Sequence, residues 1–375
     1  MGLMYFDHAA TTPVKEDVLK EMLPYFAINY GNPSSLYSIG RRNKKAVNIA
    51  REKVAKAIGC QPKEVYFTSC GSEADNLAIK GIVKANVEKG KHIITSKIEH
   101  PAVLNTCKTL EEEGFEVTYL NVDEDGFVDL EELKNSIRED TILISIMFAN
   151  NEIGTIQPIK EISQIAKEAG IIFHTDCVQA IGNVKINVNE YGIDLLSMSA
   201  HKFYGPKGVG VLYVKDGIEF KRIQDGGHQE RNKRAGTENV AGIVGLGKAI
   251  ELANENLENY NSKLLKLRNY FVREMTYHYP NIKINGNLKQ RLSGNINISF
   301  PNFDGEELLL KLDNYGICAS AGSACSSGSS NPSHVLTAIG LDENYINGSL
   351  RITFGDQNNI DEVRFLIDAI KRIVG

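Results

Sequence analysis

Nothing in this 375-residue chain is long and apolar enough to cross a bilayer. Its longest apolar stretch, Ile142 to Ala149, is interrupted by Ser145 and falls far short of the roughly 20 residues a spanning helix needs. The opening residues Met-Gly-Leu-Met-Tyr-Phe-Asp-His lack the basic and apolar regions of a signal peptide, and Phe6 stands where a myristoylation motif wants Ser or Thr. Excess charge is equally scarce: 42 Lys and Arg against 47 Asp and Glu leave a net charge of −5. That balance gives no reason to expect a nucleic-acid or anionic-membrane partner. Cysteine is sparse, at positions 60, 70, 107, 177, 318 and 325. No CxxC and no Cys/His ladder occurs, which argues against structural zinc, and most of the six read as small buried hydrophobes. Internal repeats, a Gly-rich dinucleotide fingerprint and a P-loop are all missing. The absences together predict a soluble protein of cytoplasmic type, without metal.

What is present is ordinary globular material, 42% apolar and 24% charged, in a chain long enough for a large domain and a lesser one. From about residue 41 to 256 two periods alternate. Arg42 to Ile58 places Ala46, Ala50, Val54 and Ala57 at helical spacing, with Gly59 as a stop. Strand-like runs follow at Val65 to Ser69, His92 to Thr95, Glu116 to Leu120, Thr141 to Phe148, Ile171 to Thr175, Asp194 to Met198 and Val209 to Val214, with helical stretches between the earlier ones. This alternation indicates βα units and a mainly parallel sheet. After Asn256 the character changes. A long amphipathic stretch from Leu257 to Tyr279 leads to a strand at Asn295 to Phe300 and helices near Gly305 to Tyr315 and Asn359 to Val374. We expect a large α/β domain over residues 16–256 and a smaller α+β domain from 257–375, completed by residues 1–15. Ser320 to Ser333 is low in complexity and has the composition of a loop.

In open parallel sheets, ligands bind beyond the carboxyl ends of the strands, and four such ends carry unusual polar groups. Thr68-Ser-Cys-Gly-Ser-Glu73 turns from strand to helix with small residues, which suits an anion at a helix N-terminus or an ordinary cap. Asp176 ends a buried strand and is either a helix cap or a functional carboxylate. Lys202, in Ser199-Ala-His-Lys-Phe-Tyr-Gly-Pro-Lys-Gly208, is either a surface lysine lying on apolar neighbours or one held for Schiff-base chemistry. Asn150-Asn-Glu-Ile-Gly154 is the fourth. An anion cup, an acid and a lysine on successive strand ends are the parts that pyridoxal phosphate needs, with His100 able to stack on a ring.

These residues resemble the cysteine desulfurases of the NifS/IscS type, pyridoxal phosphate enzymes of aminotransferase class V. The similarity spans essentially the whole chain. It is carried by Tyr5-Phe-Asp-His-Ala-Ala-Thr-Thr-Pro13, Tyr30-Gly-Asn-Pro-Ser34, Thr68 to Asn76, Glu99-His100, Asn150 to Gly154, Asp176 to Gln179, Ser199 to Gly208, Arg234-Ala-Gly-Thr237, Gly322-Ser-Ala-Cys325 and Ser349-Leu-Arg351. It implies fold type I, the aspartate-aminotransferase fold, with pyridoxal 5'-phosphate held by Lys202 as a Schiff base. Asp176 would pair with the ring nitrogen, Gln179 and Asn151 would lie near the phenolic oxygen, and His100 would stack on the ring. Gly71, Ser72, Ser199 and His201 would bind the phosphate, while Thr237 would reach the phosphate of a neighbouring subunit, making the active unit a homodimer. Arg351, helped by Asn151, would take the carboxylate of L-cysteine. Cys325 would attack the substrate sulfur as a thiolate and leave alanine and a persulfide, a task for a thiol carried on a loop. Cys70-Gly71-Ser72 stands where Gly-Ala-Thr is common, and Ser72 keeps a hydroxyl. The chain ends at Gly375, where many relatives carry an extension that helps dock an iron–sulfur scaffold. An iron–sulfur scaffold and a tRNA-thiolation enzyme both remain open as sulfur acceptors. Rival readings are a selenocysteine lyase or aminotransferase of the same class, and a non-catalytic sulfur-relay protein.

Overall fold

The apolar runs become strands because sheet layers bury them on both faces, a setting that favours Val, Ile and Leu. The computed structural model of the chain describes residues 3–321 and 332–375. Among these lie twelve strands: β1 (Met4–Tyr5), β2 (Val65–Thr68), β3 (His92–Ser96), β4 (Glu116–Leu120), β5 (Thr141–Ser145), β6 (Ile172–Asp176), β7 (Leu195–Ser199), β8 (Gly210–Val214), β9 (Lys283–Ile284), β10 (Asn295–Ser299), β11 (Ile317–Cys318) and β12 (Ser349–Thr353). Seven form one sheet in the order β2-β8-β7-β6-β5-β3-β4. Only β8 runs against its neighbours; the other pairs are parallel. Every residue of β3, β5, β7 and β8 is buried.

Helices cover both faces. On one side Gly71–Asn86 and Pro101–Glu112 contribute Leu77, Ile82, Val103 and Leu110 to an apolar layer. On the other, Ser38–Ile58, Ile159–Glu168 and Val240–Glu255 contribute Val47, Val54, Ile162 and Leu246. A separate apolar core joins Phe6, Phe271, Ile298, Leu308, Leu350 and Leu366. It lies among the antiparallel sheet β12-β10-β9, the parallel pair β1-β11 and the helices Leu257–His278, Gly305–Asn314 and Ile360–Val374. Met4 and Phe6 thus pack in this second core, where Met4 and Tyr5 pair with Ile317 and Cys318, 313 residues further along the chain.

Three departures from the sequence reading have physical reasons. The expected strand Thr141 to Phe148 stops at Ser145 as regular ladder, yet the Ile146 and Phe148 N–H groups still donate to His174 and Asp176 carbonyls, at 3.1 and 2.8 Å. The chain therefore stays extended and leads Met147 to Asn151 toward the strand ends. β9 and β11 went unread because two residues carry no periodicity. The cysteines are also less buried than expected: of the five described, only Cys107 and Cys177 are buried, while Cys60, Cys70 and Cys318 are half-buried.

Candidate active site

A cavity of about 200 Å³ opens at the carboxyl ends of the parallel strands. Gly71, Ser72, His100, Asn151, Asp176, Gln179, Ser199, His201, Lys202 and Arg351 all line it, so ten side chains or backbones anticipated from sequence converge on one hollow. Thr237 does not. It is exposed and lines a separate cavity of about 110 Å³ with Thr68, Ser69 and Arg234, behind the strand end that supplies the cup. Cys325 lies outside the described residues. Its flanks are fixed beside the hollow: Ser320 Oγ donates to Asp7 Oδ2 at 2.7 Å, and Ser333 Oγ donates to Glu152 Oε2 at 2.6 Å.

Lys202 ends the single turn Ala200–Lys202 that follows β7. The N-terminal Ala9 to Thr12 stretch laces this turn in place. The Thr12 N–H and hydroxyl both donate to the His201 carbonyl at 2.9 Å, and the Tyr204 N–H donates to Thr12 Oγ1 at 2.8 Å. Lys202 Nζ donates to the Ala9 and Ala10 carbonyls at 2.5 and 2.8 Å, and Gln179 Nε2 donates to Ala9 O at 3.0 Å. The amine is thus oriented by neutral carbonyls at the edge of the hollow.

Asp176 is the last residue of β6 and is held by the Val178 N–H, 2.8 Å from Oδ1. Burial pushes its carboxyl up to about 6, against the opposing pull of that hydrogen bond and of Lys202. Glu99 is pushed up to about 8 by burial although Ser96 and the Met147 N–H both donate to it, at 2.6 and 2.9 Å. His100 caps the helix Pro101–Glu112: its Nδ1 accepts the Ala102 N–H at 3.1 Å, so the neutral ring carries its proton on Nε2. Burial, then the charges of Lys202 and His334, lower its pKa to about 4, and the ring is neutral at physiological pH. His201 is lowered to about 4 for the same first cause.

The anion cup is built from close backbone approach. A Cβ at Gly71 would come within 2.7 Å of Val178 Cγ2 and 3.5 Å of Ser199 Cβ, so only glycine leaves that space. Gly71 and Ser72 open a 16-residue helix, whose first N–H groups have no partner within the helix. Arg351, in the middle of β12, is only 1% exposed. Its Nη2 donates to Asp7 Oδ1 at 2.8 Å and its Nη1 to the Asn151 carbonyl at 3.2 Å, while Nε has no partner among the described residues. The Arg351 side chain lines the hollow as well.

The residues fit pyridoxal 5'-phosphate: a glycine-bounded cup for a phosphate, a buried carboxylate for a ring nitrogen, a neutral imidazole for a ring face and an oriented amine for an aldehyde. Sequence reasoning missed Asp7 and Asp75. Both stand in stretches quoted above, and Asp75 is four residues after Gly71, the helical spacing that puts it beneath the cup.

Comparison with known proteins places the site in context. The class-V aminotransferase family matches residues 4–366. Cysteine desulfurase IscS of Clostridium botulinum is 57% identical over 373 residues, covering 99% of this chain and 94% of the relative. Cysteine desulfurase IscS of Methanosarcina thermophila is 57% identical over 371 residues, covering 99% and 92%. Among solved structures, a NifS-like protein superposes with a TM-score of 0.94 at 40% identity, covering 99% of both chains.

Proposed function

We propose a division of labour in the pocket of this chain, which belongs to the class-V aminotransferase family and is a pyridoxal 5'-phosphate-dependent cysteine desulfurase of fold type I. Bound in the pocket, the cofactor supplies an electron sink for the carbon atoms of the substrate. Lys202 holds it and then moves the proton at the substrate's Cα. Asp176 keeps the ring nitrogen charged, and His100, neutral at working pH, covers the ring face. Gln179 and Asn151 orient the phenolic oxygen, and Gly71, Ser72, Ser199 and His201 hold the phosphate. Arg351 takes the carboxylate of L-cysteine through a planar fork that lysine cannot reproduce.

Cys325 is the sulfur acceptor in this reading. Its thiolate attacks the cysteine sulfur, an S–S bond forms as the Cβ–S bond breaks, and Cβ keeps the bonding pair and takes a proton to become the methyl of alanine. The persulfide then passes to an acceptor protein, an iron–sulfur scaffold or a tRNA-thiolation enzyme. Support comes from the anchoring of Ser320 on Asp7, which itself bonds Arg351. Cys325 is five positions beyond Ser320, a chain span of at most about 18 Å. The domain division at residues 15 and 256 and a cytoplasmic location belong to the same reading. The separate apolar core around Phe271 supports the first. No helix among the described residues is long and apolar enough to cross a membrane.

The observation that carries the proposal is the convergence of Lys202, Asp176, His100 and Arg351 on one cavity. Its test is alanine and sulfide production from L-cysteine with dithiothreitol, wild type beside Cys325→Ala. Wild type should yield the two products in equal amounts, and the variant should lose sulfide while retaining the colour of the bound cofactor. Alanine and sulfide still produced by the variant would sink the role of Cys325. No alanine from cofactor-loaded wild type would sink the reading as a whole.

A further inference from the structure

Beneath the pocket lies a buried polar line that the chemistry above does not use. His174 and Asp176 are two apart on β6 and share one face of the sheet. His174 Nδ1 is 2.8 Å from Ser145 Oγ on β5, and its Nε2 is 3.0 Å from Ser197 Oγ on β7. Asp75 descends onto this face from the helix that starts at Gly71, and its Oδ1 stands 3.7 Å from His174 Nε2. Asp75 is 1% exposed, lines the same cavity as Asp176, and its Oδ1 has no hydrogen-bond partner among the described residues.

Two carboxylates buried against one hollow cannot both ionise cheaply. The groups facing Asp75 are Asp176 and His174 on β6, Cys177 just beyond it, Ser197 on β7, Glu99 after β3 and Cys70 at the head of its own helix. His174 supplies no compensating cation, because burial drives its pKa down to about 3. Lys202 acts on Asp176 and lowers it. Burial first, and Asp176 second, raise Asp75 well above its ordinary value.

We propose that Asp75 is a positioning residue: it holds a proton at the floor of the pocket, so that the Asp75–Asp176 pair carries one negative charge and that charge rests on Asp176. The Ser145–His174–Ser197 line supports the neutral acid with rotatable donors. The assignment rests on the reading of Asp176 as the partner of the ring nitrogen, and the experiment separates the two.

A proton held only in the folded state makes folding proton-consuming. Unfolded Asp ionises near pH 3.9, so above about pH 5 wild type loses about tenfold in its folding equilibrium per pH unit relative to a variant without that proton. Asp75→Asn mimics the neutral acid. Urea unfolding of wild type and Asp75→Asn should therefore show a gap that widens in favour of the variant between pH 6 and 8, in cofactor-loaded and in cofactor-stripped protein alike. Infrared spectra at pH 7 should lose one protonated-carboxyl band in Asp75→Asn, leaving the band of Glu99. Asp75→Ala should lower kcat about tenfold, with Asn restoring most of it. A gap independent of pH, or an unchanged carboxyl band, would overturn the proposal, as would an Asn variant that fails to fold. A widening gap in stripped protein, combined with full turnover in Asp176→Asn, would overturn the ring-nitrogen reading and leave the proton in place.

Discussion

Arg351 shows how much a single residue's surroundings decide. The resemblance implies a carboxylate-binding role for Arg351, and the structure shows this arginine buried and bridging two parts of the chain. Asp7, beside β1, takes Nη2, and Asn151, beyond β5, takes Nη1. That leaves the planar fork held in one orientation, with Nε lacking a partner among the described residues. Lysine would supply a charge without the fork. Arg351→Lys should therefore raise KM for L-cysteine about tenfold to a hundredfold with a smaller change in kcat. Steady-state alanine formation measures both, and an unchanged KM would remove Arg351 from substrate binding. The identity of these site residues was legible because Lys202, Asp176 and His100 stand at strand ends in recognisable company. Asp7 was not legible, since an aspartate this early in the sequence carries no signal until β1 pairs with β11.

At the level of elements, the cup depends on what braces it from outside. The segment 230–232 runs through left-handed backbone at three non-glycine residues, with φ of 43°, 56° and 64°, a conformation that costs energy. A buried pair holds it: Arg51, on Ser38–Ile58, meets Glu230 through two bonds of 2.8 and 2.7 Å. Glu230 also accepts the Phe67 N–H of β2 at 2.9 Å, and Arg51 donates to the Val65 carbonyl at 2.6 Å. The pair thus ties the stretch bearing Arg234 and Thr237 to the strand that ends in the cup. Arg51→Met leaves Glu230 buried without the cation that neutralises it, which should cost about 3–5 kcal/mol in urea unfolding. A loss below about 1 kcal/mol would show that the segment is held by other contacts. Periodicity made Ser38–Ile58 and the alternating strands readable, whereas the left-handed clip obeys no period and depends on a partner 179 residues away in sequence.

For the molecule as a whole, the surface near the N-terminal helices is unusually apolar. Leu23, Phe26, Ile28, Tyr30, Leu36 and Tyr37 are each more than half exposed within one short stretch, a pattern that marks an interaction surface. The homodimer expected from sequence would cover this patch and would give a role to Thr237, which lines a cavity separate from the one that holds Lys202. Phe26→Glu combined with Leu36→Glu should convert a dimer to a monomer by light scattering, and should lower affinity for pyridoxal phosphate about tenfold or more. A wild-type monomer with full activity would overturn the homodimer.

Much of this protein was determined by local chemistry along the chain. Two periods of apolar residues set the alternation of strand and helix, and parallel strands buried on both faces place a ligand site at their carboxyl ends. Lys202, Asp176, His100 and Gly71 are therefore readable from sequence as members of one site. Tertiary structure alone decided the rest. It brought Ala9 to Thr12 across the lysine turn, set Asp7 against Arg351, and buried Asp75 beside Asp176. Each of these depends on contacts across 100 residues or more, where no periodicity reaches and where burial decides which groups hold charge.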